Sequence, residues 1–284
     1  MKAVQVYLSP SAGKKLIGDA LSGREDVLLA AKEHTLAVVM GSTNTYLASA
    51  LARRLGLPFE EKGFYRGLLL PKSVKPSAPR QRYDFILRKG ELLPEKSIFD
   101  IAPSLGAEDL ILKGGNAVQL SSRDVGILIQ SPEGGTMIPI LSAAVGRRTR
   151  LIHPVGVEKR VDLPIPMLCA LLNQESPSGL RMLQSPGLGY TELDAFRDLF
   201  GLDAELVAAG GHGGLVDARG GPIGLRDEAE RVGHRLRAYV PPPGIEGSRG
   251  AGRPGHSRGG QSGTTSSSSP TEQPRASQMA QRVE

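Results

Sequence analysis

The chain has 284 residues, 39% of them hydrophobic but only 4% aromatic, no tryptophan, and a formal net charge of +6. That length holds one large domain or two small ones, and no apolar run approaches the roughly 20 residues of a membrane span, so a cytoplasmic protein without a membrane partner is expected. The single cysteine, Cys169 in "PMLCALL", rules out an intramolecular disulfide, leaves no Cys cluster for zinc and reads as a small buried hydrophobe.

In chain order, "AVQVYL" (3–8) reads as a strand, and 11–23 as a short helix with Leu16, Ile17, Ala20 and Leu21 on one face. A second helix is expected over 25–34. "TLAVVM" (35–40) is apolar throughout, as a strand of a parallel sheet covered on both faces should be. The next helix, from about Thr45, places Leu47, Leu51 and Leu55 at intervals of four and stops at Gly56. Residues 58–83 are basic and broken by Pro71, Pro76 and Pro79, and read as a surface loop over the site.

Further strands are expected within 83–91, 109–116, 125–130 and 149–159, with a helix over 136–148 between the last two. The alternation predicts an α/β fold: a Rossmann-like, mainly parallel sheet with helices on both faces, over residues 1–190. Residues 191–240 read as a helix-strand-strand-helix unit packed on that domain. Its first helix opens on a capping pair, Thr191 with Asp194. Its strands are "AELVAA" and one near Leu215 to Gly224, and its last helix covers Asp227 to Tyr239. Such a unit serves dimer contacts or ligand sensing, which makes a homodimer one expectation. Residues 241–284 are dominated by Gly, Ser, Pro and Arg, have no apolar periodicity, and read as a disordered tail. Its scattered arginines have no interleaved aromatic residues, so specific nucleic-acid binding is not expected.

The chemistry gathers behind the strands. "GSTNT" (Gly41, Ser42, Thr43, Asn44, Thr45), "KGGN" (Lys113, Gly114, Gly115, Asn116), "SPEGGT" (Glu133) and "PVGVEK" (Lys159) each follow a strand, where the loops of an open α/β sheet converge on a ligand. "GSTNT" has two readings. A helix start offers unpaired N–H groups to an anion, but Ser, Thr and Asn are also the usual helix caps. There is no GxGxxG, no phosphate loop ending in GKS or GKT, no HExxH and no GxSxG, so no cofactor and no metal are expected. His212 in "GGHGG" is explained by tight turning of its glycines.

In these pieces the chain resembles the superfamily of ribose-5-phosphate isomerase, glucosamine-6-phosphate deaminase and the CoA transferases. "KKLIGDAL" (14–21) is similar to the isomerase's N-terminal lysine helix, "GSTNTYLASALARRL" to its phosphate loop and helix, "LKGGNAV" to its lysine-glycine segment, and "IHPVGVEKRV" to its strand ending in a lysine. The pieces run in order from about residue 10 to 165. The resemblance implies that Lys14, Ser42, Thr43 and Lys159 hold a substrate phosphate and that Lys113 sits beside the reacting centre. It also departs from the pattern. Where the isomerase has a paired acidic motif this chain has "RKGE", leaving Glu91, and the base carboxylate falls on Ser122, with Asp124 two residues on.

The expected function is to bind and act on a small phosphorylated or anionic metabolite, by isomerase-like or hydrolase-like chemistry, with Lys113 and one of Asp124, Glu133 or Glu91 as the acid-base pair. A non-catalytic sensor that keeps the anion pocket is the alternative. A second is acyl transfer through Glu133, as in the CoA-transferase branch. The tail reading has a direct test: a chain lacking residues 245–284 is expected to melt at the temperature of the full chain within measurement error, because the segment has no apolar surface to pack. A clear loss in a calorimetric scan would show that the tail docks.

Overall fold

The computed structural model describes residues 5–66, 79–175 and 179–208, and the backbone of 213–217. The chain divides into two units, Met1–Pro242 and Pro243–Glu284, and all described residues belong to the first. In chain order the elements are β1 (Gln5–Leu8), α1 (Pro10–Gly23), α2 (Glu25–Glu33), β2 (Thr35–Val38), α3 (Ser42–Leu55), β3 (Phe85–Arg88), β4 (Glu91–Leu92) and α4 (Ile98–Ile101). Then follow β5 (Leu110–Leu112), β6 (Ala117–Val118), β7 (Val125–Ile129), α5 (Met137–Leu141), β8 (Arg150–Pro154), α6 (Ile165–Leu172), β9 (Arg181–Gln184), β10 (Leu188–Tyr190), α7 (Glu192–Phe200), β11 (Ala204–Ala208) and β12 (Gly213–Asp217).

The central sheet has six strands in the order β10–β8–β5–β2–β3–β4. The first four are mutually parallel, and β3 returns antiparallel to β2. Side chains alternate across a strand, and both faces of β2 are apolar. Leu36 and Val38 join a core with α1, α3 and α7, whereas Ala37 and Val39 join one with α4, α5 and β7. Burying one Val or Leu contributes about 1.5–3 kcal/mol, so a strand apolar on both faces is stable only where both are covered.

Helix α1 is capped by Ser9, whose Oγ accepts the Ala12 N–H at 3.2 Å, with Pro10 at its first position. It lies close against α3 because Gly18 has no side chain. A Cβ there would sit 2.8 Å from the Leu47 nitrogen. This close packing sets Lys14, one turn earlier, beside the start of α3. At that start Asn44 is fully buried, and its Nδ2 donates to the carbonyls of Val39 (2.7 Å) and Leu112 (2.9 Å), joining the ends of β2 and β5.

Several sequence expectations change in the structure. The segment 83–91 is a hairpin and not one strand: Lys89 and Gly90 both take left-handed conformations and turn β3 into β4. The strand at 125–130 forms as β7 but outside the central sheet, antiparallel between β6 and β9. It therefore covers one face of that sheet in place of a helix. The first strand also lies outside the central sheet, in a three-stranded antiparallel sheet ordered β1–β12–β11. The helix expected over 136–148 narrows to α5 and a wider π turn over 142–146. Cys169, on the unanticipated α6, is half-exposed. Thr191 and Asp194 form the expected capping box of α7. The segment 67–78, His212, the helix expected at 227–239 and the tail lie outside the described residues. Among the described residues no helix is long and apolar enough to cross a membrane.

Replacing Asn44 by Ala strips the Val39 carbonyl of a buried donor, and an expected loss of about 1–3 kcal/mol follows. Denaturant unfolding of Asn44→Ala measures it. Wild-type stability would show that the two strand ends hold together without this side chain.

Candidate functional site

The carboxyl ends of β2, β5 and β8 open on a cavity of about 640 Å³. Met40, Gly41, Ser42 and Thr43 line it from the end of β2 and the start of α3. Lys113, Gly114, Gly115 and Asn116 line it from the end of β5, Lys159 from beyond β8, and Lys14 from α1. Ile127 to Ser131, Gly134 to Met137, Phe99, Arg66 and Arg80 complete the lining.

At the start of α3 the "GSTNT" question takes a definite form. The capping position is Gly41, and no side chain caps the helix. Asn44 is committed to the strand ends. Thr45 Oγ1 lies 3.1 Å from the Gly41 carbonyl and 2.9 Å from that of Phe64, and its one proton, given to the nearer, ties α3 to the loop. Thr43 is 2% exposed, lines the cavity, and its Oγ1 is buried with no hydrogen-bond partner. A buried hydroxyl without a partner is costly. The positive end of the helix dipole lies at the same place.

The lysines are held by backbone. Lys113 Nζ donates to the Gly114 carbonyl at 3.2 Å, and Lys159 Nζ to the Gly115 carbonyl at 2.8 Å. Gly115 packs too closely for a side chain, since a Cβ there would meet Val125 Cγ1 at 2.6 Å. Loss of water lowers the Lys113 pKa to about 8. The charges of Lys159 and Arg66 push the same way, and Asp84 opposes them. Burial also pushes Lys159 down, with Lys14 adding to it and Glu158 and Glu192 opposing.

Comparison of the chain with protein-family models, with curated proteins and with solved structures gives no match. The site therefore stands on its own geometry.

The carboxylates proposed as the base do not join this cavity. Glu91 is exposed on β4 opposite Arg88, which pairs with Thr35, the first residue of β2. That is the opposite end of the sheet. Asp124 lies in the turn between β6 and β7, where its Oδ2 accepts from Ser122 Oγ at 2.8 Å. Glu133 is exposed in the turn before α5, 3.4 Å from Ser131 Oγ, while its neighbours Gly134 and Gly135 do line the cavity. Among the described residues the cavity lining contains no Asp or Glu. Nor do three or more His, Cys, Asp or Glu side chains come together to hold a metal ion.

Other carboxylates lie behind the wall. Asp84 accepts the backbone N–H groups of Met40 (2.9 Å) and Ile98 (2.8 Å) and sits 3.7 Å from the Arg66 guanidinium. Burial raises its pKa, against the pull of Met40 N–H and Arg66. Glu192, at the first position of α7, accepts the Val157 N–H at 2.8 Å and fixes the turn that carries Lys159. Burial, then the neighbouring Glu158, push Glu192 up to about 7. His153 is buried, and its pKa falls to about 3 through loss of water. Its Nδ1 meets the Lys113 carbonyl, which can only accept, so Nδ1 carries the proton and Nε2 accepts from Ser185 Oγ at 2.6 Å. A neutral His153 thus fixes the backbone of Lys113.

The Lys113 pKa carries a sign for stability. Its usual value is 10.5 and the folded value about 8, so between these the unfolded chain binds more protons. Stability is expected to rise with pH over that window, and Lys113→Met is expected to make the rise smaller. Urea titrations at several pH values check this, and an equal rise in both proteins would place the Lys113 ammonium in water.

Proposed function

We propose that this chain binds a small metabolite through a phosphate or an equivalent anionic group, seated at the start of α3 among Lys14, Lys113 and Lys159. The observation that carries the reading is Thr43 Oγ1, buried and without a partner at an uncapped helix start. A phosphate oxygen supplies the acceptor this hydroxyl lacks, and its charge is met by ammonium groups and the helix dipole. On this reading the central sheet is Rossmann-like, with the ligand at its strand ends.

Carbon-acid chemistry needs a base within hydrogen-bond reach of the reacting proton. Among the described residues the lining has no Asp or Glu, which favours a metabolite-responsive binding protein over a sugar-phosphate isomerase or hydrolase. One observation supports the catalytic reading. With a pKa near 8, Lys113 is close to the pH at which an amine both takes and gives protons. Acyl transfer through Glu133 has no comparable support, because that side chain faces solvent.

Isothermal titration with inorganic phosphate and a panel of sugar phosphates tests the reading. Thr43→Ala and Lys159→Ala are each expected to weaken binding at least roughly tenfold, about 1.4 kcal/mol. The double variant is expected to lose less than the sum, because both groups hold one ligand group. Affinity untouched by both changes would leave "GSTNT" with no ligand role.

A further inference from the structure

We infer that the ligand carries two separated anionic groups, the second held by Arg66 and Arg80 at the side of the cavity bearing Phe99. This rests on the phosphate reading above and names the class of molecule that satisfies it: a small bisphosphate, or a phosphorylated carboxylic acid.

The first support is a second orphan donor. Arg66 Nε is buried and has no hydrogen-bond partner, as Thr43 Oγ1 has none, and both residues line one cavity. Asp84 does not answer that need. Both its oxygens already accept backbone N–H groups, and it stands 3.7 Å from the guanidinium, beyond hydrogen-bond length. Asp84 thus draws Arg66 into place by charge and leaves its donors for another acceptor. The Phe99 ring backs the guanidinium at 5.8 Å. A guanidinium held in this way presents a planar fork suited to a carboxylate or phosphate.

The second support is the spread of charge. Lys159 feels the charge of Lys14, whereas Lys113 feels Lys159 and Arg66. Lys113 thus has both Lys159 and Arg66 for neighbours, and Arg66 is contributed by the loop before β3. Arg80 lines the same cavity. One phosphate at Thr43 leaves the arginine side unanswered. Ile127, Ile129 and Met137 line the cavity as well and suit a carbon frame joining two anions. About 640 Å³ is within the range of pockets that enclose whole small molecules, roughly 300–1,000 Å³.

The test uses the full chain and isothermal titration with the bisphosphates of propane-1,3-diol to hexane-1,6-diol, each against its monophosphate. At least one bisphosphate is expected to bind roughly tenfold or more tightly than its monophosphate. Arg66→Lys, which keeps the charge but loses the Nε donor, and Arg80→Ala, at an exposed position, are each expected to reduce that ratio severalfold. A ratio near one in the wild type, or one unchanged in both variants, overturns the second subsite while the phosphate reading stands. No binding of any phosphate overturns both.

Discussion

Lys113 and Lys159 give up water and meet like charge to reach the cavity, and much of the surrounding structure answers that cost. Two neighbouring ammonium groups repel, and burial weakens the screening that would hide it. The fold meets this in two ways. Backbone carbonyls of Gly114 and Gly115 accept from the ammonium groups. Carboxylates stand behind the cavity wall, Asp84 near Arg66 and Glu158 with Glu192 near Lys159. Counter-charge in these positions holds the cations and leaves their outward side free.

The scaffold around the cavity is correspondingly stiff. Asn44 joins the ends of β2 and β5, His153 fixes the Lys113 carbonyl to the segment after β9 through Ser185, and Glu192 fixes the turn carrying Lys159 to α7. Each of these side chains is at most 2% exposed. None lines the cavity, yet each sets the position of a residue that does. Preorganisation of this kind removes ordering cost from the binding step.

What could be read from the sequence follows from range. Helices α1 to α3 and α7 and the strands β2, β5 and β8 are local patterns, marked by apolar periodicity, by Gly56 at the end of α3 and by Thr191 at the start of α7. Strand β7 was legible as a strand but not as a member of a separate sheet, because "VGILIQ" is apolar whether it lies inside a parallel sheet or over one face of it. Its partner β9, "RMLQ", pairs some fifty residues away and has no alternation to announce it. The lysines of the site were marked by the glycines beside them. Arg66 and Arg80 were not, since the segment 58–83 has no period to say which of its basic residues turns inward. Asp84 and Glu192 stand in the sequence just before a strand and at the start of a helix, where polar residues are ordinary. Only their burial reveals them as counter-charges.

The same counter-charges give the cavity one direction of response to pH. Glu192, at about 7, loses negative charge as pH falls through neutrality, which strips Lys14 and Lys159 of part of their compensation. Lys113, at about 8, gains its full positive charge over a neighbouring interval. Both changes make the cavity more positive on the acid side, where Lys113 is protonated and no longer able to take a proton. A carboxylate buried behind the wall can tune the field on an anion, but it cannot reach a proton on a bound carbon. On the proposed reading, this arrangement suits recognition of a multiply charged metabolite better than its conversion.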